Sequence, residues 1–206
     1  PYVDENNVEQ KVNTLRNINA GLDAQRKSIV LLENNGILPL KKESKIYIDG
    51  LDKNIGKKFG NVVNDPSEAD VIIMYIHTVF NGNQESGLNR IFDNFLSKLF
   101  PNGDLEFNEE IKNKIKEYSK LKELIVVVDL NRPAILETIK ESSSGVIATF
   151  GVLDQVIFEG IYGKFNPSGK LPFEIPSSME AVYNQKEDLP DDSLNPTYEF
   201  GYGISY

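Results

Sequence analysis

Four short apolar runs in the chain show no alternation of polar and apolar residues. They are rich in β-branched residues, as is typical of strands buried on both faces, and they span residues 46–48, 70–76, 124–128 and 145–150. Helical patterns follow between and after the later runs, over residues 109–120, 133–141 and 153–162. This alternation predicts a three-layer α/β/α sandwich with a mostly parallel, roughly six-stranded sheet.

The first 34 residues predict one amphipathic helix. From Asn7 to about Asn34, apolar residues recur at intervals of three, four or their multiples, which is the period of a helix with one buried face. The stripe consists of Val8, Val12, Leu15, Ile18, Leu22, Ile29 and Leu32. We expect this stripe to belong to the core. Gly36 and Pro39 then end the segment.

Two regions depart from the strand–helix alternation. The first is the long connection from His77 to Phe107, which is far longer than a strand-to-helix loop needs to be. The second runs from Phe165 to Tyr206 and is rich in Pro, Gly and aromatic residues, which favours an ordered C-terminal wrap over a free tail. Ligands of open α/β sheets bind outside the carboxyl ends of the strands. The segments after Ile76, Val128 and Phe150 are therefore the places to search for a site.

Composition and charge exclude several classes of function. With 22 basic and 31 acidic residues the formal charge is −9, which is unsuited to nucleic acid or an anionic membrane. There is no cysteine and only one histidine, so thiol chemistry and a multi-histidine metal centre are excluded, and we expect no metal and no cofactor. No apolar stretch is long enough to cross a bilayer, and the compartment is left open. Because the chain begins without Met, we expect it to be part of a longer or processed protein.

Other common sequence patterns of binding and catalytic sites find little support in this chain. No P-loop pattern is present, and Gly201-Tyr202-Gly203 has no helix after it that could bind a pyrophosphate. A receiver-type signalling domain needs paired acidic residues that are missing beside Asp129. We expect Asp129 instead to end a strand and to accept a hydrogen bond from the next helix, and Asp154 to cap the helix that it opens.

Three stretches resemble the C-terminal sandwich domain of family 3 glycoside hydrolases, the β-glucosidase group. Residues 28–40 (SIVLLENNGILPL) resemble the family pattern SxVLLKNxxxLPL. Residues 165–176 (FNPSGKLPFEIP) are similar to NPSGKLPxxxP, and residues 198–206 (YEFGYGISY) to the PFGxGLSY ending. Their order and spacing fit, and they frame nearly the whole chain. The resemblance implies one domain over residues 1–206 that follows an absent N-terminal (β/α)₈ barrel.

The resemblance also implies a function. In the family the barrel holds the sugar and supplies an Asp nucleophile, while the sandwich domain closes the site and in many members contributes a Glu acid/base from the loop after a strand. The implied reaction is retaining exo-hydrolysis of β-glycosides or β-linked oligosaccharides by two carboxyl groups. The chain alone, lacking the barrel, is then expected to be inactive.

The matching loop is the long connection, and it carries the candidate site residues. Many relatives place the acid close after an aromatic residue, but here Phe80 is followed by Asn81, and the first carboxylate is Glu85. We interpret Glu85 as the catalytic acid/base, with His77, Phe80 and Asn81 as substrate-binding residues.

Alternatives to these roles stay open. Glu85 could be a solvated loop residue, and the acid could then be another carboxylate of the connection, such as Asp93, Asp104 or Glu106. His77 could be a strand-end residue that hydrogen-bonds to nearby backbone. Asp104 and Glu106 fit capping or surface positions. A rival function is a non-catalytic carbohydrate-binding or structural domain in which Asn81 marks a lost acid.

Overall fold

In the computed structural model, the described residues are 8–12, 14–78 and 104–206. Six strands form one sheet: β1 (Val30–Asn34), β2 (Lys45–Asp49), β3 (Asn61–Val63), β4 (Val71–His77), β5 (Glu123–Asp129) and β6 (Gly145–Thr149). Their spatial order is β1-β6-β5-β4-β2-β3. All neighbouring pairs are parallel except β1 and β6, which are antiparallel. The predicted mostly parallel, six-stranded sheet is confirmed.

Helices cover both faces of this sheet. They are α1 (Val8–Lys11), α2 (Leu15–Ser28), α3 (Lys53–Gly56), α4 (Glu109–Leu121), α5 (Glu137–Ser142), α6 (Asp154–Ile161) and α7 (Met179–Tyr183), with a 3₁₀ turn at Pro66–Glu68. Helices α4 and α5 contribute side chains to the core on one face of the sheet. Helix α6 contributes to the core on the other face, which includes the fully buried Phe158. No helix in the described parts of the chain is long and apolar enough to span a membrane.

The N-terminal segment differs from its prediction. Helix α2 ends at Ser28, and the residues from Val30 onward form β1, paired antiparallel with β6. Consecutive apolar residues from Ile29 to Leu32 are completely buried and alternate between the two cores, because both faces of this edge strand are covered. Within α2 no residue is fully buried, and Leu15 is 79% exposed. The predicted core stripe is therefore wrong for its first four members, whereas Leu22 packs against the core and Ile29 is completely buried.

The C-terminal wrap packs along β1. Ile204 forms a bridge with Leu31, and Gly169 donates its backbone N–H to the carbonyl of Ile29 at 3.1 Å. These contacts cover the edge of the sheet that β1 would otherwise expose. Tyr198 is almost fully buried, whereas Phe200 is 61% exposed, so the aromatic residues of the wrap do not all face the core.

Candidate functional site at the carboxyl edge of the sheet

Four parallel strands end side by side at one edge, which we call the carboxyl edge. Their last residues are Asp49, His77, Asp129 and Thr149. The register pairs His77 with Asp129 and Asp129 with Thr149. Three polar side chains from three strands therefore lie next to one another, although 52 residues of sequence separate His77 from Asp129.

Asp129 is the buried centre of this edge. Its residue is 4% exposed, and its Oδ1 accepts hydrogen bonds from the Gly151 backbone N–H at 2.7 Å and the Thr149 hydroxyl at 3.0 Å. Its Oδ2 accepts from the Asn131 side-chain amide at 3.4 Å. The strong bonds thus come from β6 and the loop after it, and not from the next helix as the sequence predicted.

His77 lies beside this carboxylate. Its Nδ1 is 3.4 Å from Asp129 Oδ2, while its side chain is 63% exposed. The Tyr75 ring packs edge-on against the imidazole, with ring centroids 4.8 Å apart. Burial, together with the charges of Asp129 and Asp154, raises the pKa of Tyr75 to about 12, so this phenol is protonated at neutral pH. The imidazole is thus held on one side and accessible on the other.

A second carboxylate joins two more loops at this edge. Asp154 Oδ2 accepts a hydrogen bond from the Asp52 backbone N–H at 2.8 Å, and Asp52 itself caps α3 through the Asn54 N–H. The predicted capping role of Asp154 is wrong: Asp154 is the first residue of α6, and Leu153 precedes it with no side-chain cap. A carboxylate in the first helical turn still suits the helix dipole.

Both ends of the long connection are attached beside β5. At its start, the Thr78 N–H donates to the Asp129 carbonyl at 3.1 Å. At its return, the Arg132 guanidinium donates to the Asp104 carbonyl at 2.6 Å, and the Ile135 N–H donates to the Leu105 carbonyl at 3.0 Å. Helix α5 begins after this segment, at Glu137 and not at Pro133 as predicted.

Local hydrogen bonds and an ion pair fix the segment between the end of the long connection and α4. Asp104 accepts a hydrogen bond from the Glu106 N–H, and Asn108, not Asp104, caps α4 through the Ile111 N–H at 2.9 Å. Glu106 forms an ion pair with Lys112 at 2.6 Å. The capping role expected for Asp104 is therefore wrong, because Asn108 caps the start of α4, whereas Glu106 has a surface role in its ion pair with Lys112.

Three of the four predicted site residues, Phe80, Asn81 and Glu85, lie outside the described residues. Only His77 has a described position, at the end of β4. The roles of all four stay predictions. Sequence reasoning assigned no role to Thr149 or Arg132; Thr149 lies near the end of a predicted strand, and Arg132 belongs to the stretch Asn131-Arg132-Pro133, a partial family match after a strand.

A further polar cluster lies at the end of β2. Asp49 accepts a hydrogen bond from the Tyr118 hydroxyl at 3.1 Å and forms an ion pair with Lys114 at 2.7 Å. Burial, then hydrogen bonding with Tyr47 and the neighbouring charge of Asp49, raises the pKa of Tyr118 above its usual range. Asp49 thus serves to dock α4 on the sheet. Among the described residues no group of three His, Cys, Asp or Glu could hold a metal ion.

The fold and this edge define a class: a doubly covered, mostly parallel α/β sandwich whose polar groups gather at the carboxyl ends of its strands. Residues 47–206 match the family profile described as the Glycosyl hydrolase family 3 C-terminal domain. The chain belongs to this family, as the resemblance in its sequence implied.

Two relatives and two solved structures illustrate the similarity. The chain is 36% identical to a periplasmic beta-glucosidase/beta-xylosidase of Dickeya chrysanthemi, over 89% of the chain and 28% of the relative. It is 34% identical to beta-glucosidase C of Emericella nidulans, over 100% of the chain and 33% of the relative. The chain therefore spans about a third of the length of these curated relatives.

The solved structures support the fold. A beta-glucosidase from Listeria innocua in complex with isofagomine superposes with a TM-score of 0.75 at 20% identity, over 99% of this chain and 36% of that one. Beta-glucosidase 3B from Thermotoga neapolitana in complex with glucose gives a TM-score of 0.71 at 17% identity, over 95% and 39% of the two chains.

Proposed function

We propose that this domain is part of a retaining β-glycosidase and completes an active site whose (β/α)₈ barrel and nucleophilic Asp lie in another part of the protein. Membership of the family and the names of the relatives support the proposal. The observation that carries it is the attachment of both ends of the long connection beside β5, at the edge where ligands of α/β sheets bind.

In this mechanism Glu85 is the acid/base. It protonates the glycosidic oxygen as the barrel carboxylate attacks the anomeric carbon, and it then removes a proton from the water that releases the sugar. The two carboxyl groups of a retaining enzyme lie about 5–5.5 Å apart. His77 and Asn81 contact sugar hydroxyls, and Phe80 stacks on the apolar face of a sugar ring. The substrate is a β-linked glycoside or oligosaccharide.

The acid/base role is tested by Glu85→Gln in the natural full-length protein. We expect turnover of β-glucosides with poor leaving groups to fall about 10²–10⁴-fold, the usual contribution of general acid–base catalysis. Turnover of a dinitrophenyl β-glucoside, whose leaving group needs no protonation, should fall much less. Glu187→Gln, at an exposed position far along the chain, is the matched control. A Glu85→Gln enzyme as active as its parent would exclude Glu85 as the acid.

The chain by itself provides a second test. We expect residues 1–206 to hydrolyse no nitrophenyl β-glucoside, because the nucleophile is supplied by the barrel. Robust turnover by these residues alone would contradict the shared active site.

A binding or structural domain is the second candidate function, and the observation that favours it is Asn81 in the position where many relatives carry an acid. This second function predicts that the full-length protein binds a β-glucoside, as measured by calorimetry, and does not hydrolyse it. Hydrolysis by the parent protein that depends on Glu85 would exclude this alternative.

A further inference from the structure

The two oxygens of Asp129 have different partners. Oδ1 accepts from the Gly151 N–H and the Thr149 hydroxyl, so the carboxylate is held by two donors on β6 and its following loop. Oδ2 lies 3.4 Å from His77 Nδ1 on β4 and accepts a hydrogen bond from the Asn131 side-chain amide, also at 3.4 Å. Because the bonds at Oδ1 fix the plane of the carboxylate, Oδ2 has a fixed direction towards the imidazole. The Asp129 side chain is only 5% exposed, so the carboxylate side of this contact is shielded from water, while the His77 side chain is 63% exposed.

A fixed carboxylate at this distance selects one form of a neutral imidazole. A proton on Nδ1 is attracted by Oδ2, whereas a lone pair on Nδ1 would be repelled by it. The group that faces one ring nitrogen in this way decides which nitrogen carries the proton. Neutral His77 therefore carries its proton on Nδ1 and a lone pair on Nε2. The edge-on Tyr75 ring limits rotation of the imidazole.

We infer that Asp129 is a positioning residue: it holds His77 as the Nδ1–H tautomer, so that Nε2 of this largely exposed side chain accepts a hydrogen bond from a hydroxyl group of the glycoside. The substrate part of this inference rests on the proposed function, while the tautomer is a property of the chain itself. The role also gives the substrate contact a direction, since the sugar must donate and the protein must accept.

Nitrogen NMR on the 206-residue chain tests the tautomer directly, because His77 is its only histidine. At alkaline pH, where imidazoles are neutral, we expect the ring nitrogen shifts of the Nδ1–H form. Asp129→Asn keeps an oxygen for Gly151 and Thr149 and turns an amide N–H towards Nδ1. This variant should therefore shift His77 to the Nε2–H form.

Asp154→Asn is the matched control, since it removes a carboxylate of the same edge that accepts a hydrogen bond from the Asp52 backbone N–H and not from His77. It should leave the tautomer of His77 unchanged. A parent spectrum of the Nε2–H form would overturn the inference even if Asp129→Asn failed to fold. A folded Asp129→Asn variant with the parent tautomer would overturn it as well.

Kinetics of the full-length protein test the substrate contact. His77→Ala and Asp129→Asn should each raise KM for an aryl β-glucoside about fivefold, the effect of one hydrogen bond, with a smaller change in kcat. The double variant should be no worse than His77→Ala, because Asp129 acts through His77. Multiplying effects would overturn the positioning role. A parent protein without any hydrolysis would instead refute the proposed function, and the NMR result would still decide the tautomer.

Discussion

Arg26 and Glu159 link α2 to α6. The Arg26 Nε lies 2.8 Å from Glu159 Oε2, and the two side chains are 30% and 13% exposed. Burial alone would raise the pKa of Glu159, but hydrogen bonds from Arg26 and Gln155 and the Arg26 charge outweigh it, so the pKa is lowered. This ion pair joins the largely exposed α2 to the core, together with the packing of Leu22 and the hydrogen bond from the Leu153 N–H to Gln25 Oε1.

The pair makes stability depend on pH. A lowered pKa in the folded state means that the stabilisation is fully present above the unfolded value of 4.5 and is lost as the pH falls through the lower folded value. We expect Arg26→Met to lower the free energy of unfolding by about 1–2 kcal/mol at pH 7, reduced by partial exposure. The deficit should shrink below about pH 4.

Urea denaturation at a series of pH values measures this effect. Lys27→Met is the control, because it removes the same charge from the same turn at an exposed position. A deficit for Arg26→Met that stays constant from pH 7 to pH 3 would show that packing of the Arg26 stem, and not the ion pair, is responsible.

The contact of the wrap with β1 depends on the small size of Gly169. A Cβ atom built at Gly169 would lie 2.5 Å from the backbone oxygen of Ile29, which cannot move without shifting the strand. A Cβ atom built at Gly203 would likewise lie 2.5 Å from the backbone oxygen of Gly169. The element is therefore docked backbone to backbone, which explains why the NPSGKLP stretch contains a glycine at this point.

Gly169→Ala should lower the free energy of unfolding by about 2–3 kcal/mol, the cost of overpacking against backbone. Gly21→Ala is the matched control, because Gly21 lies within α2 and nothing lies near the added methyl group. This variant should raise the free energy of unfolding by about 0.5–1 kcal/mol. Thermal and urea denaturation compare the two. A neutral Gly169→Ala would mean that the wrap detaches from β1 at little cost.

The whole molecule has a core on each face of one sheet. Ile72 and Ile73 are neighbours in β4, both completely buried, and they contribute to opposite faces. Their side chains point away from each other because successive residues of a strand alternate between faces. Any unfolding of one layer therefore removes the support of the other.

We expect Ile72→Val and Ile73→Val each to cost about 0.5–1.5 kcal/mol, the usual effect of one buried methyl group. The double variant should equal their sum within about 0.5 kcal/mol, since the two side chains belong to different cores. Circular dichroism and tyrosine fluorescence should follow one common transition in every variant. Separate transitions for the two probes would show that the layers unfold independently.

Much of the fold could be predicted from local pattern. The β-branched runs at β2, β4, β5 and β6 were recognised because inner strands of a parallel sheet are apolar on both faces. β1 was mistaken for helix, since a buried apolar run at the end of a helical period looks the same for either element. β3, with three residues, had too little pattern to recognise.

The sequence by itself determined the family, the strand-and-helix class and the exclusion of thiol and multi-histidine metal chemistry, because these depend on motifs, local periodicity and composition. Only the tertiary structure decided that β1 is a strand, that Arg132 fixes the return of the long connection, and that Asp129 faces His77. The physical reason is that these features come from strand register and burial between distant residues, which no local period encodes.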